Sequence, residues 1–205
     1  MPTLTTILYG LCFGLLGYLS GSLTPSIWIT RRLKGVDVRD SGSGHATTTN
    51  TIRQAGFGPG ALVFILDIAK GFLPTWLALT FAPADGVTWI APLTAALCVV
   101  GHCWPLFAGF RGGMGLATAG GGLLAAQFLG AVVYLGVLVA LVLIIRHGAR
   151  ASVAAGLLTA PALWLFGLHG PVFWVATCSG FVIAFRFLID WNRKYRELWL
   201  DRQRS

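Results

Sequence analysis

The chain has 205 residues, of which 56% are hydrophobic and only 11% charged. A soluble domain carries roughly a quarter charged residues, so this chain could not cover its own surface in water. The formal charge is +8, but no nucleic-acid-binding module is visible, which excludes nucleic acid as the partner of that charge. Basic loops beside anionic lipid headgroups, or around a phosphorylated substrate, fit it instead.

The pattern predicts an all-α integral membrane protein, a single membrane domain over residues 1–205. Apolar stretches run over residues 4–29, 57–82, 87–107, 116–145, 152–166 and 171–185. The first lacks a basic leader and a small-residue cleavage site, so it reads as a span rather than a cleaved signal. Gly10, Gly14, Gly17 and Gly21, and later Gly120–Gly122, give the small-residue spacing that lets membrane helices approach closely. Cys12, Cys98, Cys103 and Cys178 lie in apolar stretches without metal-ligand spacing and read as buried thiols.

The stretch 116–145 is long for one span and short for two. Charge placement favours two short helices turning near Gln127–Gly130, both packed against protein, for seven spans in all. Fourteen of the fifteen basic residues then fall on one side: Arg31, Arg32, Lys34, Arg39, Arg53, Arg111, Arg146, Arg150, Arg186, Arg193, Lys194, Arg196, Arg202 and Arg204. That side is the cytoplasm, with the N-terminus outside and the C-terminus inside.

Two loops on that side can carry chemistry. In the first, Ser41-Gly42-Ser43-Gly44 lets backbone amides approach an anion. Thr47, Thr48, Thr49 and Asn50 add donors before a helix start, and Arg39 and Arg53 add forked cations. A flexible linker is the alternative reading of the segment. In the second, Arg111-Gly112-Gly113 precedes a helix and again offers amides beside a cation. His102 reads either as a proton-transfer group or as a histidine bonded to a neighbouring loop. Asp67 and Lys70, three apart within a span, share a helix face, either as a structural ion pair or as part of the substrate's charge environment.

Taken in order, these motifs resemble the bacterial acyl-phosphate:glycerol-3-phosphate acyltransferases over nearly the whole chain. Tyr18-Leu-Ser-Gly-Ser22, Leu33–Arg39, Gly42-Ser-Gly44, Thr49-Asn50 with Arg53, Leu66–Gly71, Gly101-His102 with Pro105, and Phe110–Gly113 match successive family motifs. Arg146, Ser152, Arg186 and Asn192-Arg193 fall at further family positions. The sequence departs from the pattern at His45, Thr47, Thr48, Met114, Ala149, Phe187 and Asp190, where the family has Asn, Gly, Ala, Lys, Ser, His and Asn. The resemblance implies a multi-pass plasma-membrane enzyme that moves a fatty acyl group from acyl phosphate to the 1-hydroxyl of glycerol 3-phosphate, giving lysophosphatidate for phospholipid synthesis. Its partners would be those two substrates and membrane lipids, with no metal or cofactor. Ser43, Arg53 and His102 would be catalytic. Arg39, Gly42, Gly44, Thr49, Asn50, Arg111, Gly112, Gly113, Arg146, Ser152 and Arg186 would bind substrate. The alternative is a non-catalytic or altered-specificity homologue that binds lipid phosphates or partners a true acyltransferase.

Overall fold

The computed structural model describes residues 2–192, so the basic residues from Arg193 onward lie outside the described part. The regular structure of that part is helical: α1 (Leu4–Gly21), α2 (Pro25–Lys34), α3 (Thr48–Ala55), α4 (Phe57–Phe81), α5 (Val87–Cys103), α6 (Leu116–Ala126), α7 (Phe128–Ile145), α8 (Gly148–Leu165) and α9 (Pro171–Ile189). Five segments are long and apolar enough to cross a membrane: Leu4–Lys34, Phe57–Phe81, Val87–Ala108, Phe128–Ile145 and Pro171–Ile189. The molecule is an all-α, multi-pass membrane protein.

Its polarity runs opposite to that of a soluble domain. Leu8, Leu11 and Leu15 on α1, Val132, Leu135 and Leu143 on α7, and Phe181 and Phe185 on α9 face outward. Asp67, Lys70, His102, Thr94 and Arg186 are buried. Hydrocarbon offers no hydrogen bonds, so polar groups concentrate where protein can satisfy them.

Helices α1 and α5 pack together, as do α4 and α6, α8 and α9, and α5 and α9. Small residues make these contacts close. A Cβ on Gly17 or Gly21 would meet the backbone carbonyls of Thr94 or Cys98 in α5, and one on Gly121 would meet the carbonyl of Ile68 in α4. Pro74 in α4 has no N–H to offer the Lys70 carbonyl one turn earlier. That carbonyl instead accepts from Ser20 Oγ at 2.9 Å and Cys98 Sγ at 3.0 Å, which ties α1, α4 and α5 together.

The long apolar stretch breaks at Gln127, in extended backbone, dividing α6 from α7 within the predicted turn. The expectation that both halves sit against protein is corrected. Helix α6 is enclosed, with Thr118, Ala119 and Gly121–Leu123 buried, whereas α7 buries only Gly130 and Tyr134. Eighteen apolar residues make α7 long enough to cross by itself, so it needs no protein shelter. Two of the cysteines also differ from expectation. Cys98 and Cys103 are buried, but Cys12 is exposed on the outer face of α1 and Cys178 is half-buried. A thiol facing lipid has the same apolar preference as one in a core, so sequence pattern does not separate the two.

Gly21→Val should force α1 away from the Cys98 carbonyl and cost about 3 kcal/mol or more. A thermal unfolding curve in detergent checks this, with a fall in Tm expected.

Candidate active site

The first loop is built by its own side chains. Helix α2 ends on Gly35 in the left-handed region at φ 70°. A short turn, Val38–Asp40, follows, capped by the Asp37 carboxylate accepting from the Arg39 amide at 2.9 Å. The glycines at 42 and 44 both have positive φ, 63° and 70°, which closes the turn over the Asn50 side chain. Asn50 Nδ2 donates to the carbonyls of Val38, Ser41 and His45 at 2.6, 3.1 and 3.1 Å. Thr47 caps α3 by accepting from the Asn50 amide. The first-turn amides of Thr48 and Thr49 have no acceptor within the helix and carry its positive dipole end.

The second loop is held against the first. Arg39 donates through Nε and Nη2 to the two Asp37 carboxylate oxygens at 2.9 and 2.7 Å. Its Nη1 donates to the carbonyls of Ala108 and Arg111 at 2.7 and 3.1 Å. The hydrogen bonds from Arg39 hold the Asp37 carboxyl well below the usual carboxylate range. The Ala46 amide donates to the Gly112 carbonyl at 3.2 Å. Gly112 and Gly113 donate their own amides to the carbonyls of Cys103 and His102 at the end of α5.

Between the loops lies a cavity of about 440 Å³. Its polar lining comes from Ser43, His45, Thr47–Thr49, Arg53, Asp67, His102 and Ser152, and its apolar lining includes Phe64, Leu116, Leu138 and Val142. Within it Asp67 Oδ1 lies 2.7 Å from Lys70 Nζ and 3.5 Å from His102 Nδ1. Lys70 Nζ also donates to the Leu23 carbonyl at 2.9 Å. The Asp67–Lys70 pair is therefore structural on the lysine side and faces the cavity on the aspartate side.

Of the predicted site residues, Ser43, Thr49, Arg53, His102 and Ser152 line this cavity. The others sit behind or beside it. Arg39 and Asn50 brace the loops, and the amides of Gly112 and Gly113 already cap α5. Gly42 and Gly44 shape the turn. Arg111 and Arg146 are exposed. Arg186 is buried behind the wall, donating from Nε to the Gly113 carbonyl at 3.3 Å. Met114, Ala149 and Phe187, three of the departures from the family pattern, belong to one buried apolar cluster with Val99, Cys103 and Ile183. The apolar lining by Phe64, Leu138 and Val142 was missed in the sequence, where a leucine facing a cavity looks like one facing lipid.

The family model described as glycerol-3-phosphate acyltransferase matches residues 11–197. The chain belongs to the glycerol-3-phosphate acyltransferase family. A relative of that name from Shouchella clausii is 42% identical over 118 residues, 58% of this chain and 57% of the relative. The chain thus aligns with little more than half of that protein's length. Crystal structures of PlsY, an integral membrane glycerol 3-phosphate acyltransferase, are similar over 90% of each chain. The glycerol 3-phosphate form has a TM-score of 0.76 at 35% identity, and the lysophosphatidic acid form 0.75 at 34%.

In this acyltransferase-family chain the Arg39 clamp sets the distance between the loops. Because the folded-state pKa of Asp37 is depressed, the clamp's stabilisation is fully present above the ordinary carboxylate range and is lost only as pH falls below it. Arg39→Ala should lower Tm and leave the first loop protease-sensitive at neutral pH, as measured by unfolding curves and limited proteolysis. A wild-type Tm in this variant would contradict the clamp.

Proposed function

We propose that this chain transfers a fatty acyl group from acyl phosphate to the 1-hydroxyl of glycerol 3-phosphate at the cavity between its two glycine-rich loops. The observation that carries the reading is the cavity's mixed lining: anion donors from the first loop and α3 together with apolar side chains from α4, α6 and α7. Arg53, the only Lys or Arg side chain lining the cavity among the described residues, and the Thr48 and Thr49 amides favour phosphate oxygens. Phe64, Leu138 and Val142 suit an acyl chain that enters from the bilayer.

The acceptor hydroxyl attacks the acyl carbonyl and a new C–O ester bond forms. The bond between the acyl carbon and the phosphate oxygen breaks, and phosphate leaves with the electron pair. The hydroxyl proton passes to the departing phosphate, directly or through His102, which lines the cavity with its Nδ1 3.5 Å from Asp67 Oδ1. Holding both reactants in one pocket supplies much of the rate by fixing their orientation.

The loops face the cytoplasm in this reading, with the N-terminus outside, α6 and α7 crossing separately, and seven spans in the plasma membrane. Exposed Arg31, Arg32, Lys34, Arg111 and Arg146 gather at that face, as expected beside anionic headgroups. A competing reading, a lipid-phosphate binder without turnover, is favoured by Met114 and Phe187, apolar residues in the same lining as the anion donors.

Purified protein in detergent should make lysophosphatidate from palmitoyl phosphate and glycerol 3-phosphate. Tight binding of either substrate with no product would select the binder. Arg53→Ala should raise the KM of a phosphate substrate about 10- to 100-fold, the worth of a charge-assisted hydrogen bond.

Met114→Lys tests the apolar wall. Met114 is buried among Phe187, Ala149 and Ile183, so an ammonium there finds no acceptor from the cluster. A lower Tm without higher turnover is expected, whereas a gain in turnover would mean that the wall accepts a phosphate-directed cation.

A further inference from the structure

His45, in the first loop, and Asp190, at the end of α9, are 145 residues apart in sequence, yet they meet behind the cavity. His45 Nε2 lies 3.0 Å from Asp190 Oδ2, and Arg186 Nη2 lies 3.2 Å from His45 Nδ1. A guanidinium only donates, so Nδ1 accepts and the ring proton resides on Nε2, where it is donated to the carboxylate. Arg186 Nη1 is also 3.6 Å from Asp190 Oδ2, and its Nε reaches the Gly113 carbonyl. The side chains of Arg186, His45 and Asp190 are each only 10 or 11% exposed. One network therefore joins the first loop, the second loop and α9.

The network's position matters more than its strength. Burying an ion pair costs about as much desolvation energy as the pair returns, so its contribution lies in fixing one arrangement. What it fixes here is the ring of His45, a residue that lines the cavity together with Ser43 and Thr47–Thr49. The backbone of His45 is held as well, since its carbonyl accepts from Asn50 Nδ2 and from the Thr47 amide. A shift of His45 would carry Ser43 on one side and the start of α3 on the other. Neither Asp190 nor Arg186 lines the cavity, so their influence runs through His45 and Gly113.

We infer that Asp190 is a positioning residue: through His45 it sets the turn that presents Ser43 and the α3 amides to a substrate phosphate. This rests on the acyltransferase reading, in which those groups take glycerol 3-phosphate or the phosphate of the donor.

The test is a double-mutant cycle on the purified full chain in detergent, with palmitoyl phosphate and glycerol 3-phosphate as substrates. Asp190→Ala and His45→Ala should each raise KM for one phosphate substrate about 10- to 100-fold, the scale of a small misplacement, with a smaller change in kcat. The double variant should be no worse than the poorer single one, because both break the same connection. Asp190→Asn, whose amide oxygen can still accept from His45 Nε2, should recover KM to within about threefold of wild type. An unchanged KM in Asp190→Ala, multiplying effects in the double variant, or Asp190→Asn as damaged as Asp190→Ala would each overturn the inference. Should Asp190→Ala fail to fold, His45→Ala and Asp190→Asn carry the comparison. If the wild type forms no lysophosphatidate, the acyltransferase reading falls by itself. The variants are then compared by their Kd for radiolabelled glycerol 3-phosphate and for radiolabelled palmitoyl phosphate, and values equal to wild type for both overturn the inference.

Discussion

A helix inside a bilayer cannot leave a polar group to water, and this constraint organises the interior of the molecule. Pro74 leaves the Lys70 carbonyl without its helical partner, and Ser20 and Cys98 take it over. The Lys70 ammonium in turn reaches both Asp67 and the Leu23 carbonyl, where α1 gives way to α2. Three helices are joined by satisfying one residue, and the aspartate left facing inward becomes part of the cavity.

The same accounting explains why so many residues that look like ligands are braces. Backbone at the membrane boundary needs partners as much as a substrate does. Arg39, Asn50, Gly112 and Gly113 direct donors to carbonyls of their own loop, of the other loop or of α5. The loops that result are firm enough to hold Ser43, Thr48, Thr49 and Arg53 around one space. Preorganised donors are worth more to a reaction than mobile ones, because no reorganisation is needed as charge develops.

The departures from the family pattern also fall into place as groups. Met114, Ala149 and Phe187 are neighbours in one apolar cluster, so a polar or charged side chain at any one of them would face the other two. His45 and Asp190 satisfy each other, with Arg186 between the loop and the helix end. Five of the seven changes, scattered along the chain, thus form two local groups, one apolar and one polar, while Thr47 and Thr48 belong to neither.

Composition and periodicity by themselves determined that the chain is a helical membrane protein, where most helices lie, and that the long stretch breaks near Gln127, because hydrocarbon imposes length and polarity on each segment separately. The ordered motifs marked the two loops and five cavity-lining residues for a similarly local reason: glycines, hydroxyls and arginines suited to phosphate are clustered in sequence. Tertiary structure alone decided which of those groups face the cavity, that α7 faces outward, that Phe64, Leu138 and Val142 line the same cavity, and that His45 meets Asp190. Each of these depends on the rotation of a helix or on a contact between distant segments. A leucine or a hydrogen-bond donor reads the same in sequence whichever neighbour packing gives it.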